Sequence, residues 1–555
     1  MNITRVSVDS AGNQGNQSSI FLGSPSISPD GRFVAFVSAA SNLVPGDTNA
    51  SDDIFVRDTL ANTTIRVSVD SAGNQGNMDS STASISAGGR FVAFYSKATN
   101  LVPKDTNADS DVFVRDMLAN TTTRVSVDSV GNQADDLSLG ASISADGRFV
   151  AFLSFASNLV PGDTNNNSDI FVRDLLTNTI TRVSVDSAGN QANSDSLYFS
   201  ISADGRFVAF HSSASNLVPG DTNNRSDIFV RDTLANTTTR VSVDSAGNQA
   251  NGTSDTLSMS ADGRFVAFSS FATNLVPGGT NNTNDIFVRD TLANTTARIS
   301  VDSAGNQANG TFGPNISISP DGRFVAFEST ASNLVPGDTN NDRDIFVRDL
   351  LTNTTTRVSV DSAGNQGNNG SFAPSISANG RRVAFDSAAS NFVPGDTNNI
   401  PDVFVFDMGN TPDNNSPDNN LNGTNGNDIL TGTNGNDIIN GLRGNDNLSG
   451  GGGNDNLSGG KGFDTLNSGL GNDILVGGAG NDVFVLGAGL GVDTISDFTN
   501  SQDTMQLING LTFGQLAISP GTDRTLVTVA SSGQVLASLI GVAPNLIGSE
   551  DFISV

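Results

Sequence analysis

The chain predicts an all-β protein in two parts, a seven-bladed β-propeller followed by a parallel β-roll with a β-rich C-terminal cap. Three observations carry this. A heptapeptide of the form DGRFVAF recurs at Asp30, Gly88, Asp146, Asp204, Asp262, Asp321 and Asn379, in steps of 58 residues with one of 59. From Gly423 onward the period shortens to nine, with aspartates at 428, 437, 446, 455, 464, 473 and 482. Throughout, short Val, Ile and Phe runs alternate with Gly, Asn, Asp, Ser and Thr, the composition of strands and turns. Nowhere does the three-and-four spacing of an amphipathic helix develop.

Each long repeat holds four strand-like pieces, a to d. In the third copy they are Ala141 to Ser144, Arg148 to Ser154, Asp169 to Asp174 and Thr181 to Asp186. The alternation within b and d is that of half-buried strands, and ADG or PDG turns join a to b, so each unit predicts a four-stranded antiparallel sheet. Seven such sheets at a fixed period predict a propeller. The seventh unit stops after strand c, Asp402 to Asp407, and the missing d strand is the one at Thr4 to Asp9. A ring closed by its own first strand leaves no blade edge open to another chain. The expected boundaries are 1–407 for the propeller, 408–420 for a polar linker, 421–487 for the roll and 488–555 for the cap.

The wording SPDGRFVAF, SNLVPGDTN, DIFVRD and TRVSVD resembles the TolB-like, WD-repeat-like propeller family over Thr4 to Asp407. That resemblance implies a fold and little chemistry. Variation between copies gathers in the b-to-c and d-to-a loops, which open on one face, so a binding site is sought there. In the third copy the b-to-c loop places Asp163, Asn165, Asn167 and Asp169 at alternate positions, resembling a shortened integrin-type calcium loop. Asp and Asn also build turns by bonding their own backbone, and both readings stand at this point. The fifth position of FVAFx holds the only histidine, His211, and elsewhere Val37, Tyr95, Leu153, Ser269, Glu328 and Asp386. Such variety reads as blade filling, although Tyr95, His211, Glu328 and Asp386 are groups able to hold a metal or move a proton. The recurring arginines of GRF, VRD and TRVSVD read as scaffolding. No residue is singled out as catalytic or as binding an organic cofactor.

In the nine-residue rhythm each aspartate has glycine two positions before it, from Gly426 to Gly480. Two positions after it stand Leu430, Ile439, Leu448, Leu457, Leu466, Leu475 and Phe484. Glycines open turn conformations and bring carbonyl oxygens inward, while the carboxylate completes an oxygen shell for a hard cation. The pattern resembles the repeats-in-toxin (RTX, hemolysin-type) calcium-binding family over Gly423 to Val485. The resemblance implies Ca2+ as the cofactor, with Asp428, Asp437, Asp446, Asp455, Asp464, Asp473 and Asp482 as its ligands. It also implies two nonapeptides per coil, so that Asp428, Asp446, Asp464 and Asp482 form one column and Asp437, Asp455 and Asp473 the other, with about five inter-turn positions. Carboxylates stacked about 4.8 Å apart repel one another, and calcium is expected to control folding. Thr424, Thr433, Leu442 and Ser468 depart from the pattern, and the sites near Gly450 to Asp464 are expected to be tightest.

Acidic residues outnumber basic ones by 57 to 28, a net charge of -29 that disfavours nucleic acid and anionic membranes as partners. There is no cysteine, hence no disulfide or thiolate site. No apolar run is long enough to span a bilayer, and MNITRVSVDS lacks the form of a cleaved signal peptide. Calcium-roll proteins of the resembled family commonly carry an uncleaved C-terminal signal for one-step (type I) bacterial export, and the tail ending SEDFISV extends that resemblance. The leading expectation is therefore an extracellular, secreted calcium-binding protein. Its partners would be calcium, the type I export machinery, and an extracellular polysaccharide or protein bound multivalently by the propeller. The competing expectation is a secreted hydrolase or lyase acting on polysaccharide, with Asp386, Glu328 or His211 converging on the mouth of the long-loop face. A binding module would instead expose aromatics such as Phe21, Tyr198 and Phe312 there. A third is a surface-layer protein that assembles with calcium.

Overall fold

A computed structural model describes residues 2–19, 24–278, 283–398, 400–408, 420–432, 436–452, 454–487, 491–508, 511–521, 524–530 and 535–554. The chain divides into two compact units, Met1–Gly409 and Asn410–Val555. Positions 409–419 of the expected linker lie outside the described residues.

The first unit is seven four-stranded antiparallel sheets, each in the order a-b-c-d. In blade three the strands are Ser138–Ile143, Phe149–Ser154, Asp169–Asp174 and Thr179–Arg182. Strand d therefore begins and ends earlier than the alternating TRVSVD suggests, because the hydrogen-bonded ladder stops at Arg182. Beyond it Val183 N still donates to Ile170 O at 2.8 Å. Blade seven takes its outer strand from Asn2–Arg5, paired antiparallel so that Asn2 faces Asp407 and Arg5 faces Phe404.

The a strands are innermost and are stitched to one another around the ring. The backbone N–H of Ile27 donates to Ser375 Oγ, that of Ile85 to Ser26 Oγ, and that of Ile376 to Ser317 Oγ, all at 3.1–3.2 Å. Between blades the core is phenylalanine: Phe36 stacks on Phe55, Phe94 on Phe113 and Phe152 on Phe171, with centroids 5.8–5.9 Å apart. These rings are buried, and each contributes about 1.5–3 kcal/mol by leaving water. The a-to-b turns need glycine. Gly147 has φ +78°, and a Cβ there would collide with the Phe91 ring of the preceding blade.

The second unit is two sheets of parallel strands facing across a narrow core. One runs Asn420–Asn422, Ile438–Arg443, Asn456–Lys461, Ile474–Ala479, Asp493–Ile495 and Val535–Ile540, and then turns antiparallel through Arg524–Val529 and Leu516–Gly521. The other runs Ile429–Thr431, Asn447–Gly452, Thr465–Leu470, Val483–Leu486, Thr504–Leu507 and Phe552–Ser554. Ile438 pairs with Asn456 and Asn456 with Ile474, so alternate nonapeptides stack in register. Ile439, Leu448, Leu457, Leu466, Leu475 and Phe484 are fully buried between the sheets. One such side chain per nonapeptide makes a thin core, which widens toward the cap around Ile495, Met505, Leu507 and Leu539.

Candidate functional site

On the long-loop face the D-x-N-x-D carboxylates already have partners. Asp163 accepts from Gln191 Nε2 at 2.6 Å and lies 3.3 Å from Arg182 Nη1. Asp169, fully buried, accepts from Ser184 Oγ at 2.5 Å and pairs with the same guanidinium at 3.2 Å. Asn165 donates to Ala192 O and accepts from Asn167 N. The guanidinium stands where a cation would, and Asn166 takes the left-handed conformation (φ +54°) of a turn. Of the two readings of this loop, the geometry matches the turn. The fifth copy's first loop position, Gly279, lies outside the described residues.

The other arginines are scaffolding too. Arg32 makes a bidentate bond to Asp58 and lies over Phe33, 4.7 Å from the ring centroid. Buried Arg57 donates to Asp9 O and Thr64 Oγ1, tying each blade to the segment before it.

Of the four fifth-position groups able to hold a metal or move a proton, Tyr95 alone is partly exposed. His211, Glu328 and Asp386 are buried, and burial pushes the His211 pKa down. Of the aromatics expected there, Tyr198 is half-exposed and meets the His211 ring edge-on at 5.8 Å. Phe312, by contrast, is buried against Phe327 because strand a of blade six begins at it. Phe21 lies outside the described residues. Two grooves of about 420 and 400 Å³ occupy the same repeat position in blades one and three. Each lies between the DSA or DSV segment after strand d and the SNLVPG segment after strand b.

In the roll, Asp437, Asp446, Asp455, Asp464, Asp473 and Asp482 are at most 2% exposed. The parallel register stacks them: Asp446 Oδ1 accepts from Asp428 N, Asp464 Oδ1 from Asp446 N, and Asp455 Oδ1 from Asp437 N, each at 2.8 Å. The second oxygen is different. Among the described residues, Oδ2 of Asp446, Asp455, Asp464, Asp473 and Asp482 has no hydrogen-bond partner. Those of Asp446, Asp455 and Asp464 each face a glycine (Gly441, Gly450 and Gly459) beside a carbonyl of the next coil, and that of Asp482 faces Gly477. A Cβ on Gly459 would crowd both Asp464 Oδ2 and, at 2.7 Å, Gly477 O. Asp428, at the start of its column, departs from this pattern because its Oδ2 accepts from Thr424 N at 2.6 Å.

Burial, followed by the neighbouring carboxylates, lifts Asp455 to about 7 and Asp482 to about 6. Leaving a buried carboxylate oxygen without a donor costs roughly 1–3 kcal/mol, more when ionised. A donor set made only of carboxylate and carbonyl oxygens suits a hard cation of the calcium type.

Two residues of this arrangement were not singled out from the sequence. Asp493 and Asp503 extend the columns beyond the nonapeptides, Asp493 Oδ1 accepting from Asp473 N and Asp503 Oδ1 from Asp482 N. Ser468, a departure from glycine, donates to Asp493 Oδ2 at 3.0 Å. The signal was there in Gly491-Val492-Asp493, which keeps glycine two before aspartate but sits off the nine-residue beat.

The C-terminal region matches the RTX calcium-binding nonapeptide repeat over residues 418–448, 449–484 and 458–495, and these repeats are calcium-binding. No curated protein matches the chain. Among solved structures, an oligogalacturonate lyase from Vibrio parahaemolyticus is 11% identical with a TM-score of 0.44, over 73% of this chain and 93% of that one. TolB from Acinetobacter baumannii is 16% identical with a TM-score of 0.33, over 59% and 64%. The propeller domain of the Trilobed protease from Pyrococcus furiosus is 11% identical with a TM-score of 0.42, over 70% and 96%. At these values the likenesses decide nothing about activity, and the propeller assignment rests on the strand order. Among the described residues no helix is long and apolar enough to cross a membrane.

Proposed function

We propose that this is a secreted calcium-binding protein in which a calcium-folded roll accompanies a propeller that serves as a multivalent recognition module. The observation that carries the calcium half is the set of five buried carboxylate oxygens without donors, stacked in register, three of them beside carbonyls of the next coil. Asp446, Asp455, Asp464, Asp473 and Asp482 would hold the ions, with Asp437 beside them in its column and Asp428 engaged only after leaving Thr424. Bound calcium would supply the positive charge that stacked carboxylates need to stay ionised while buried. Export follows from the same chemistry. Where calcium is scarce the columns repel and the segment stays unfolded for passage; outside the cell it folds. A one-step export signal in 488–555 fits this sequence of events.

The recognition half is supported by the recurrence of one groove at equivalent repeat positions, since copies of a weak site bind a repeating polymer with avidity. An extracellular polysaccharide or protein is the partner class. The hydrolase or lyase reading is less well supported, because Glu328 and Asp386 are each 1% exposed. The test is a count of bound calcium by equilibrium dialysis. Asp464→Asn and Asp455→Asn should each lower the count and weaken binding at the coils on either side. A count unchanged in both variants would remove the ligand assignment.

A further inference from the structure

The propeller repeats nearly verbatim, so departures from sevenfold likeness are informative. Among the described residues, every buried carboxylate or imidazole atom in the propeller that lacks a hydrogen-bond partner belongs to one position, the fifth of FVAFx. The atoms are His211 Nδ1, Glu328 Oε1 and Asp386 Oδ2. Two of the three belong to adjacent blades.

Glu328, in strand b of blade six, points toward blade seven, where its Oε2 accepts from the backbone N–H of Ala373 at 3.2 Å. Ala373 sits in a bulge of strand a with φ +54°. Its neighbour Phe372 is the cross-strand partner of Asp386. Asn315 of blade six bonds Glu328 and accepts from Ser24 of blade one at 3.2 Å, so the two blades flanking blade seven meet here. The other oxygen of Glu328 occupies a space that only glycine leaves open, since a Cβ on Gly313 would overlap Oε1. The Arg343 guanidinium approaches that oxygen at 3.6 Å, too far to hydrogen-bond it. The guanidinium faces Glu328, whereas the charge felt by Asp386 is that of Glu328; both carboxylates are 1% exposed, which leaves one buried negative charge without compensation when both are ionised. Burial in such a site is costly unless a cation is present.

We propose that Glu328 and Asp386, with Asn315, form a divalent-cation site between blades six and seven. It takes an oxygen-preferring ion of the calcium, magnesium or manganese class, and it is separate from the aspartate columns of the roll. Gly313 makes room for the Glu328 carboxylate that would hold the ion, and the ion secures the joint beside the blade that the N-terminal strand closes. This inference does not depend on the calcium reading of the roll.

Both tyrosines, Tyr95 and Tyr198, lie in the propeller and the chain has no tryptophan, so tyrosine fluorescence reports this unit in the full-length protein. Urea unfolding followed in this way, in chelator and then with Mn2+ or Ca2+, is the experiment. The cation should raise the wild-type midpoint, and the rise should be lost in Glu328→Gln and Asp386→Asn but kept in Asp464→Asn of the roll. In chelator Asp386→Asn should be at least as stable as wild type. Should a carboxamide variant fail to fold, Gly313→Ala, which fills the space without altering charge, should lower the dialysed Mn2+ count by one. An equal cation-induced rise in every variant, no rise in wild type, or an Asp386→Asn effect that is the same with and without cation would overturn the proposal. The last outcome would mean that a proton alone compensates the pair.

Discussion

Replacing Arg5 with methionine tests whether the first strand closes the last blade. Arg5 Nε lies 3.0 Å from Asp402 and Nη2 lies 3.2 Å from Asp396, with side-chain exposures of 8%, 0% and 4%. The contacts are close but off the hydrogen-bond line, so their attraction is coulombic. Methionine keeps the aliphatic stem near Phe404 and removes only the charge. Asp402 retains donors from Ser7 Oγ at 2.6 Å and Gln14 Nε2 at 2.9 Å, which places the loss toward the lower end of the 3–5 kcal/mol typical of a broken buried pair, about 3 kcal/mol. Against a total of roughly 5–15 kcal/mol this is a large fraction. Arg124 makes the same contacts, through Nη2 to Asp105 and Nε to Asp111, within blade two, so Arg124→Met is the internal standard. Urea unfolding at fixed calcium, followed by tyrosine fluorescence, should give similar losses for the two variants. If Arg5→Met stays within about 0.5 kcal/mol of wild type, as ordinary surface changes do, the N-terminal strand does not close the ring.

Gly147→Ala should destabilise the propeller by more than the 1–2 kcal/mol of a left-handed alanine, because the new methyl also meets the Phe91 ring; thermal unfolding checks it. Leu466→Ala, in the fully buried row of the roll, should cost about 2–5 kcal/mol, visible as a higher calcium concentration needed for folding. Raised carboxylate pKa values mean that the ion-free folded roll holds more protons than the unfolded chain. Its stability therefore falls as pH rises from the usual carboxylate range, through about 6 at Asp482, to about 7 at Asp455. Calcium displaces those protons, so affinity should climb over the same window; titrations at pH 5 and pH 7.5 that give equal affinity would contradict it.

Much of this was legible in the sequence because repetition multiplies weak signals. One DGRFVAF run is an ambiguous strand, but seven at a fixed step require a ring, and the orphan d strand at the N-terminus has one place to go. The nonapeptides were equally plain, since glycine and aspartate keep step only where backbone and carboxylate share an ion. Single-copy features were harder. Phe312 and Tyr198 sit near the start of strand a, yet one is buried and the other half-exposed, and side-chain direction beside a bulge follows from backbone twist that no residue name records. The D-x-N-x-D loops left two readings open because the decisive partner, Arg182, lies at the end of another strand and meets the loop only once the blade is folded. Asp493 and Asp503 were missed because insertions of two and three residues break the beat while the register absorbs them.

The central claim is that cations, rather than the thin apolar row, hold the roll together. Hydrogen exchange of the full chain across residues 438–486, in chelator and then in saturating calcium, measures it directly. The account predicts rapid exchange at Leu448, Leu457, Leu466 and Leu475 without calcium and strong protection with it, while the propeller strands stay protected in both. Equal protection of those four amides in chelator would contradict it.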